Sequence, residues 1–189
     1  MTQSARRYSA PIPENDAERV KVLRQYQILD TAPEQSYDEL AKLAAAVCHT
    51  PIATITLVDE NRQWFKARVG LTAEETSRAV GFCACAVFGQ DVLIVPDTRK
   101  DDRFVDNPFV TAQPYIRFYA GAPLITPKGF VIGTLGVFDT IPRRLHRQQL
   151  DALKMLSNQV MRLLELNRAI RQEHADLSCM SFSKPLLAT

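Results

Sequence analysis

Apolar residues along this chain follow two periods. Over residues 16–49, and again after 145, they recur at three and four, whereas between 52 and 138 most lie in short runs bounded by Pro, Gly, Asp and Asn. The two most apolar runs, 118–125 and 130–138, flank Thr126-Pro127-Lys128-Gly129, a hairpin-type connection. Both are too apolar for an edge strand facing water, which predicts the centre of an antiparallel sheet. Gly121, Gly133 and Gly136 lie inside these runs. Glycine weakens a strand there and points to close approach on one face, by a packed helix, a backbone or a ligand.

Ahead of the sheet, Asn15 or Asp16 can cap a first helix with Val20, Leu23 and Gln27 on one face, closed by Ile28 and Leu29. Asp30-Thr31-Ala32-Pro33 breaks it, and Thr31 with Glu34 resembles a capping box for a second helix over 35–49. Its stripe of Leu40, Leu43, Ala44 and Val47 suits a helix covering a sheet. Residues 52–58 alternate Thr54 and Thr56 with Ala53, Ile55 and Leu57, predicting one wetter face. After a polar turn, 63–69 runs back, with Trp64 as a packing residue. Residues 70–78 read as loop, 79–88 as a short helix and 92–95 as a short strand ended by Pro96. The stretch 97–114 is long, polar and carries two prolines; loops of that length are commonly functional. Phe104, Phe109 and Val110 are its inward anchors.

The last helix starts near Leu145 and runs to about Leu177. Leu153, Val160, Asn167 and His174 fall at a, and Leu156, Leu163, Ile170 and Leu177 at d, of a heptad seam. The seam predicts a parallel homodimer with Leu153, Leu156, Val160, Leu163, Asn167 and Ile170 in its interface, Asn167 facing its twin. Leu164 and Leu166 widen the stripe, so the helix also packs on its own sheet or first helix. A surface helix of a monomer is the alternative.

The length of 189 residues suits one domain with extensions. Residues 1–13 read as a flexible lead-in, 14–171 as the domain with its terminal dimer helices, and 172–189 as the end of the coiled-coil helix plus a disordered tail. Charge is near balance at +2 with no basic tract, which argues against nucleic acid. No run is long enough to span a bilayer and no secretory leader opens the chain, so a cytoplasmic location off the membrane is expected. Cys48, Cys83, Cys85 and Cys179 have neither disulfide-framework nor zinc spacing, so no metal is expected.

FYAGAPL, GFVIGTLGVFDT and the following Pro-Arg, with ILDTAPEQSYDELAKLAA, ITLVDENRQWFKARVGL, GFCACAVF and VPDTRKDDRFVDNP, resemble the GAF family of small-molecule sensor domains. The resemblance is strongest to the branch in bacterial histidine kinases and diguanylate cyclases, and runs in order over roughly residues 13 to 170. It implies an α/β (α+β) fold: a central antiparallel sheet of about six strands, helices on both faces and a long C-terminal helix. It also implies a ligand pocket between the sheet and the helix and loop above it. Carried over by position, that pocket is bounded by 82–88, 97–104 and 118–122, with Thr134 from the partner strand. Phe82, Cys83, Cys85 and Phe88 would come from the helix. Phe104, Phe118 and Tyr119 could stack on a planar ligand, and Asp97 or Asp102 could fix a donor. The plain reading of the aspartates is turn and cap chemistry.

Three roles compete for Cys83 and Cys85. Bilin-binding GAF domains attach their chromophore through a cysteine in this region, usually beside a histidine; here the neighbours are Ala84 and Ala86, and Cys85 stands where relatives often place that histidine. A redox or metal pair is disfavoured because positions i and i+2 lie about 200° apart around a helix. Plain packing accounts for at least one of the two. Free methionine sulfoxide reductases are GAF domains that use cysteines, but their arrangement is not matched. His49, His146 and His174 do not assemble a nucleophile–base set, so no enzyme is expected. An Arg/Lys cluster for cyclic GMP is missing too. The resulting expectation is a non-catalytic sensory domain of bacterial two-component or cyclic-dinucleotide signalling. It would bind an unidentified small molecule, neither bilin nor haem, and signal through a dimeric C-terminal helix to a histidine kinase or diguanylate cyclase output. A ligand-free dimerisation module and a cysteine redox sensor are the alternatives.

Overall fold

The structure, a computed structural model, describes residues 9–181, with side chains as far as His174. The expectations for the first eight and last eight residues, and for Leu177 in the seam, fall outside the described residues.

Six antiparallel strands form one sheet in the order β3-β2-β1-β6-β5-β4. They are β1 (Ile52–Val58), β2 (Arg62–Val69), β3 (Glu75–Ser77), β4 (Leu93–Val95), β5 (Phe118–Ile125) and β6 (Val131–Asp139). The β5–β6 hairpin lies inside the sheet, as its apolar runs predict, with β1 and β6 in the middle. β3 forms within the stretch expected to be loop. The expected wetter face of β1 does not exist. Thr54 and Thr56 are fully buried with their hydroxyl oxygens 2.8 Å apart, because a second layer covers that face too.

One face carries α2 (Gln35–Cys48) and α5 (Arg147–Ser181); the other carries α3 (Phe82–Ala86), α4 (Pro108–Thr111) and their loops. α1 (Asp16–Arg24) ends earlier than its pattern suggests, and Gln27 and Asp30, both at positive φ, turn the chain towards α2. The α2 stripe is also rotated from expectation. Tyr37, Ala41, Ala44, Ala45 and Cys48 face the sheet, while Leu43 is 49% exposed, because small residues let the helix lie close. Glu34 stands at the N-cap; Thr31 instead donates its hydroxyl to the Ile28 carbonyl.

β2 carries a bulge. Thr56 pairs with Phe65 and Ile55 with Ala67, leaving Lys66 as the extra residue. Phe65 faces the α3 layer, while Lys66 and Ala67 both face the α2 side. The Lys66 side chain is fully buried, 2.6 Å from Glu34, and donates to Thr31 Oγ1 and the Ala32 carbonyl.

α5 is 35 residues long and includes Ser178–Ser181, which the sequence placed in the tail. Leu153, Leu156 and Val160 are buried in the chain's own core with Met161 and Leu164. Asn167 donates to Glu34 Oε2 at 3.3 Å and to the Tyr37 hydroxyl at 3.2 Å. This part of the seam therefore finds its partner inside the chain. A sheet needs a covering helix, and over three or four turns a heptad repeat barely differs from the period of an ordinary amphipathic helix. Leu163 packs at the margin, whereas Met155, Leu166 and Ile170 remain exposed. α1 is tied to the same helix: Tyr26 donates to Glu165, and Arg171 donates to the carbonyls of Tyr26 and Gln27.

Candidate functional site

On the α3 face, the space above β5 and β6 is occupied by aromatic rings. Phe82 stacks on Phe104 with centroids 4.7 Å apart, and lies 5.4 Å from Tyr119 and 6.0 Å from Phe138. Tyr119 and Phe138 are 4.9 Å apart. Tyr119 can lie flat because Gly121 and Gly136, paired across the two strands, leave the sheet bare. A Cβ at Gly121 would fall 2.0 Å from the Tyr119 hydroxyl, and one at Gly136 would fall 3.3 Å from its ring. The close approach that the glycines announce is therefore made by the chain itself: by Tyr119 at Gly121, by the Phe138 and Tyr119 rings at Gly136, and by the Thr56 backbone at Gly133.

Around Tyr119 lies a buried polar island of Thr54, Thr56, Thr134 and Cys83, with Cys83 Sγ 3.5 Å from Thr56 Oγ1. Burial, with the Cys83 thiol alongside, pushes the Tyr119 phenol well above its ordinary value. Burial likewise pushes the Cys83 thiol up. That is the reverse of the lowered value of a reactive thiolate.

Of the residues predicted for the pocket, Phe82, Cys83, Phe104, Tyr119 and Thr134 come together, as packed wall. Phe118 does not join them. It follows Tyr119's neighbour rule in reverse: adjacent strand residues point to opposite faces, and Phe118 sits in the core under α5. Phe88 lies past the end of α3, half exposed, in a separate shallow groove with Ile12. Cys85 is half-buried beside the cluster. Asp97 accepts from the Arg99 backbone and guanidinium, which holds its carboxyl below its ordinary value and caps a short turn. Asp102 is exposed. The aspartates thus sit in turn geometry.

The open space lies next door. A cavity of about 380 Å³ extends from the edge of the aromatic cluster towards β2. Ile52, Phe65, Leu71, Phe82, Cys83, Phe109, Ile116 and Phe138 supply its apolar lining. Gln63, Thr72, Thr76 and Gln113 supply its polar groups, and none of the lining side chains is charged. Gln63 organises one wall: its carbonyl oxygen accepts from Ala84 N at 2.9 Å, and its amide donates to Thr76 Oγ1 at 3.0 Å. Gly81 makes this possible, since a Cβ there would fall 1.8 Å from the Gln63 amide nitrogen. Of this lining, sequence reasoning had named Phe82 and Cys83 for the pocket and left out most of the rest. Phe109 was visible as a loop anchor, but no spacing along the chain links Phe65, Leu71 and Ile116.

The chain matches the GAF domain family over residues 32–164, well over half its length. It belongs to that family. A Pseudomonas aeruginosa protein named as a cyclic di-GMP phosphodiesterase is 42% identical to this GAF domain over 133 residues. That stretch is 70% of this chain and 23% of the relative, so the chain spans under a quarter of that protein. The GAF domain of a phosphoenolpyruvate-protein phosphotransferase from Acinetobacter superposes with a TM-score of 0.60 at 18% identity, covering 82% of this chain and 98% of that one. The free methionine-R-sulfoxide reductase of Neisseria meningitidis, solved with its substrate, gives 0.59 at 15% identity, covering 86% and 99%. These likenesses establish a shared fold. Among the described residues of this GAF domain, no three His, Cys, Asp or Glu side chains gather where they could hold a metal ion, and no helix is long and apolar enough to cross a membrane.

Proposed function

We propose that this chain is the regulatory, non-catalytic input of a bacterial signalling protein: it takes a small molecule in the cavity and reports occupancy through α5. The cavity carries this reading. It is concave, apolar and furnished with a few convergent polar groups, as small-molecule sites are. Its position supports the second half. Phe65 walls the cavity on one face of the sheet, the next residue, Lys66, meets Glu34 on the other face, and Glu34 accepts from Asn167 of α5. For a signal to pass, the ligand must bind one arrangement of this chain of contacts better than another.

The exposed Met155, Leu166 and Ile170 lie along one side of α5, which supports a parallel homodimer formed on that side, with Leu163 at its margin. The output would be a cytoplasmic histidine kinase or diguanylate cyclase, or a phosphodiesterase as in the named relative. A ligand-free interaction module is the second reading, favoured by the rings that already fill the space over Gly121 and Gly136. Native mass spectrometry on gently purified protein tests both. A dimer carrying extra small mass supports the sensor. A bare dimer supports the interaction module, and a monomer overturns signalling through paired α5 helices.

A further inference from the structure

We infer that the cavity takes a neutral, ring-bearing molecule and excludes anions, nucleotides among them. The inference rests on the cavity being the ligand site. At roughly 30 Å³ for each water-sized unit, a space of about 380 Å³ holds a molecule of about a dozen non-hydrogen atoms. A phosphorylated nucleoside exceeds that. Four phenyl rings, from Phe65, Phe82, Phe109 and Phe138, border the space and present flat apolar surface to a ring.

Charge decides the rest. Arg62, Lys66, Arg68, Arg78 and Arg117 lie within three positions of lining residues in sequence, and each is engaged elsewhere: Arg62 pairs with Asp30 and Glu75, and Lys66 with Glu34 on the opposite face. Arg68 pairs with Glu74 at 3.1 Å, Arg78 grips Asp16 with two nitrogens, and Arg117 donates to the carbonyls of Val110 and Ile116. Beside Ala73, at the solvent side of the cavity, the next residue is Glu74, whose carboxylate already occupies Arg68. A carboxylate or phosphate carried inside this lining would therefore leave water without gaining a counter-ion, which is strongly unfavourable. A neutral polar group is better served. The Gln63 amide gives one hydrogen to Thr76 and keeps a second to donate, and Gln113 and Thr72 stand at the exposed side. The ligand enters ring first, with a carbonyl or amide as its polar end.

Naphthalene-2-carboxamide and naphthalene-2-carboxylate have the same shape and differ in charge at neutral pH, so they isolate the inference. Calorimetry and methyl NMR on the full chain should show the amide binding, with shifts at Ile52, Leu71 and Ile116, and the carboxylate at least about tenfold weaker. Leu71→Trp, or Ala73→Trp at the exposed rim should the first fail to fold, should fill the cavity and abolish amide binding at an unchanged melting temperature. A carboxylate that binds as well as the amide overturns the neutral class and leaves the cavity as a ligand site. Binding of neither probe overturns the cavity reading itself. Amide binding that survives in the folded tryptophan variants places it elsewhere and overturns the inference.

Discussion

Phe104→Ala separates a packed segment from a mobile cover. Phe104 is fully buried, stacks on Phe82 at 4.7 Å and 20°, and carries the Arg103 guanidinium 5.4 Å above its ring. Truncating a core phenylalanine costs about 3–5 kcal/mol, lost transfer energy plus the hole left behind. The stacked pair contributes about 0.5–1.5 kcal/mol beyond area burial, and the outward-facing guanidinium contact adds little. A working loss of about 4 kcal/mol lowers the melting temperature of a domain this size by about 8–16 °C. Trp64, the chain's single tryptophan, is buried on the opposite face, so its fluorescence during urea or thermal denaturation follows global unfolding. Benzene should partly restore the variant's midpoint by occupying the vacated apolar space of the native state. A loss below about 1 kcal/mol, far under the core range, would refute this account and make Phe104 a dispensable cover.

Lys66→Met should destabilise by only about 1–2 kcal/mol rather than the cost of a fully buried pair, because Glu34 is 36% exposed and can regain water. It should still move the side-chain amide resonance of Asn167, and an unmoved resonance would break the proposed link from β2 to α5. Burial pushes the Asp16 carboxyl up, but hydrogen bonds from Arg78 and Arg19 outweigh it and hold the group below its ordinary value. The resulting stability is complete above that ordinary value and is lost as pH falls through the depressed one. Asp16→Asn should therefore flatten the acid limb of the urea midpoint against pH; a wild-type slope would contradict the assignment. In a Cys179→Ser background, iodoacetamide at mildly alkaline pH should label the half-buried Cys85 first. Cys48, pushed up to about 11 by burial, and Cys83, raised in the same way, should lag. Labelling of Cys83 at the rate of Cys85 would restore the redox reading.

The sheet was legible because its strands are local signals. Two apolar runs around Pro127 and Gly129 can hardly be anything but an interior hairpin, and β5 and β6 take that place. α5 was legible as a helix but not in its allegiance. Leu153 and Val160 satisfy a dimer seam and an intrachain stripe equally well, and only the sheet decides between them. The bulge at Lys66 left no mark, since a buried lysine reads as an exposed one until its carboxylate partner is located 32 residues earlier. At the site, Phe82, Cys83, Phe104, Tyr119 and Thr134, carried over by family position, do come together, and Phe82 and Cys83 also line the cavity. Whether Phe82, Phe104 and Tyr119 surround a space or fill it depends on ring orientation, which residue type does not encode. The cavity is assembled from strand, helix and loop residues far apart in the chain, which no local pattern anticipates.

The bare patch at Gly121 and Gly136 has a consequence for competition. Tyr119 behaves as a tethered occupant of that slot, present at a high effective concentration and unable to diffuse away. A solute seeking the slot must outcompete a resident that is never diluted. The threshold for occupation is then set by how firmly one phenol holds its place, and a single exchange, Tyr119→Ala, would hand the slot to whatever the surrounding solution supplies.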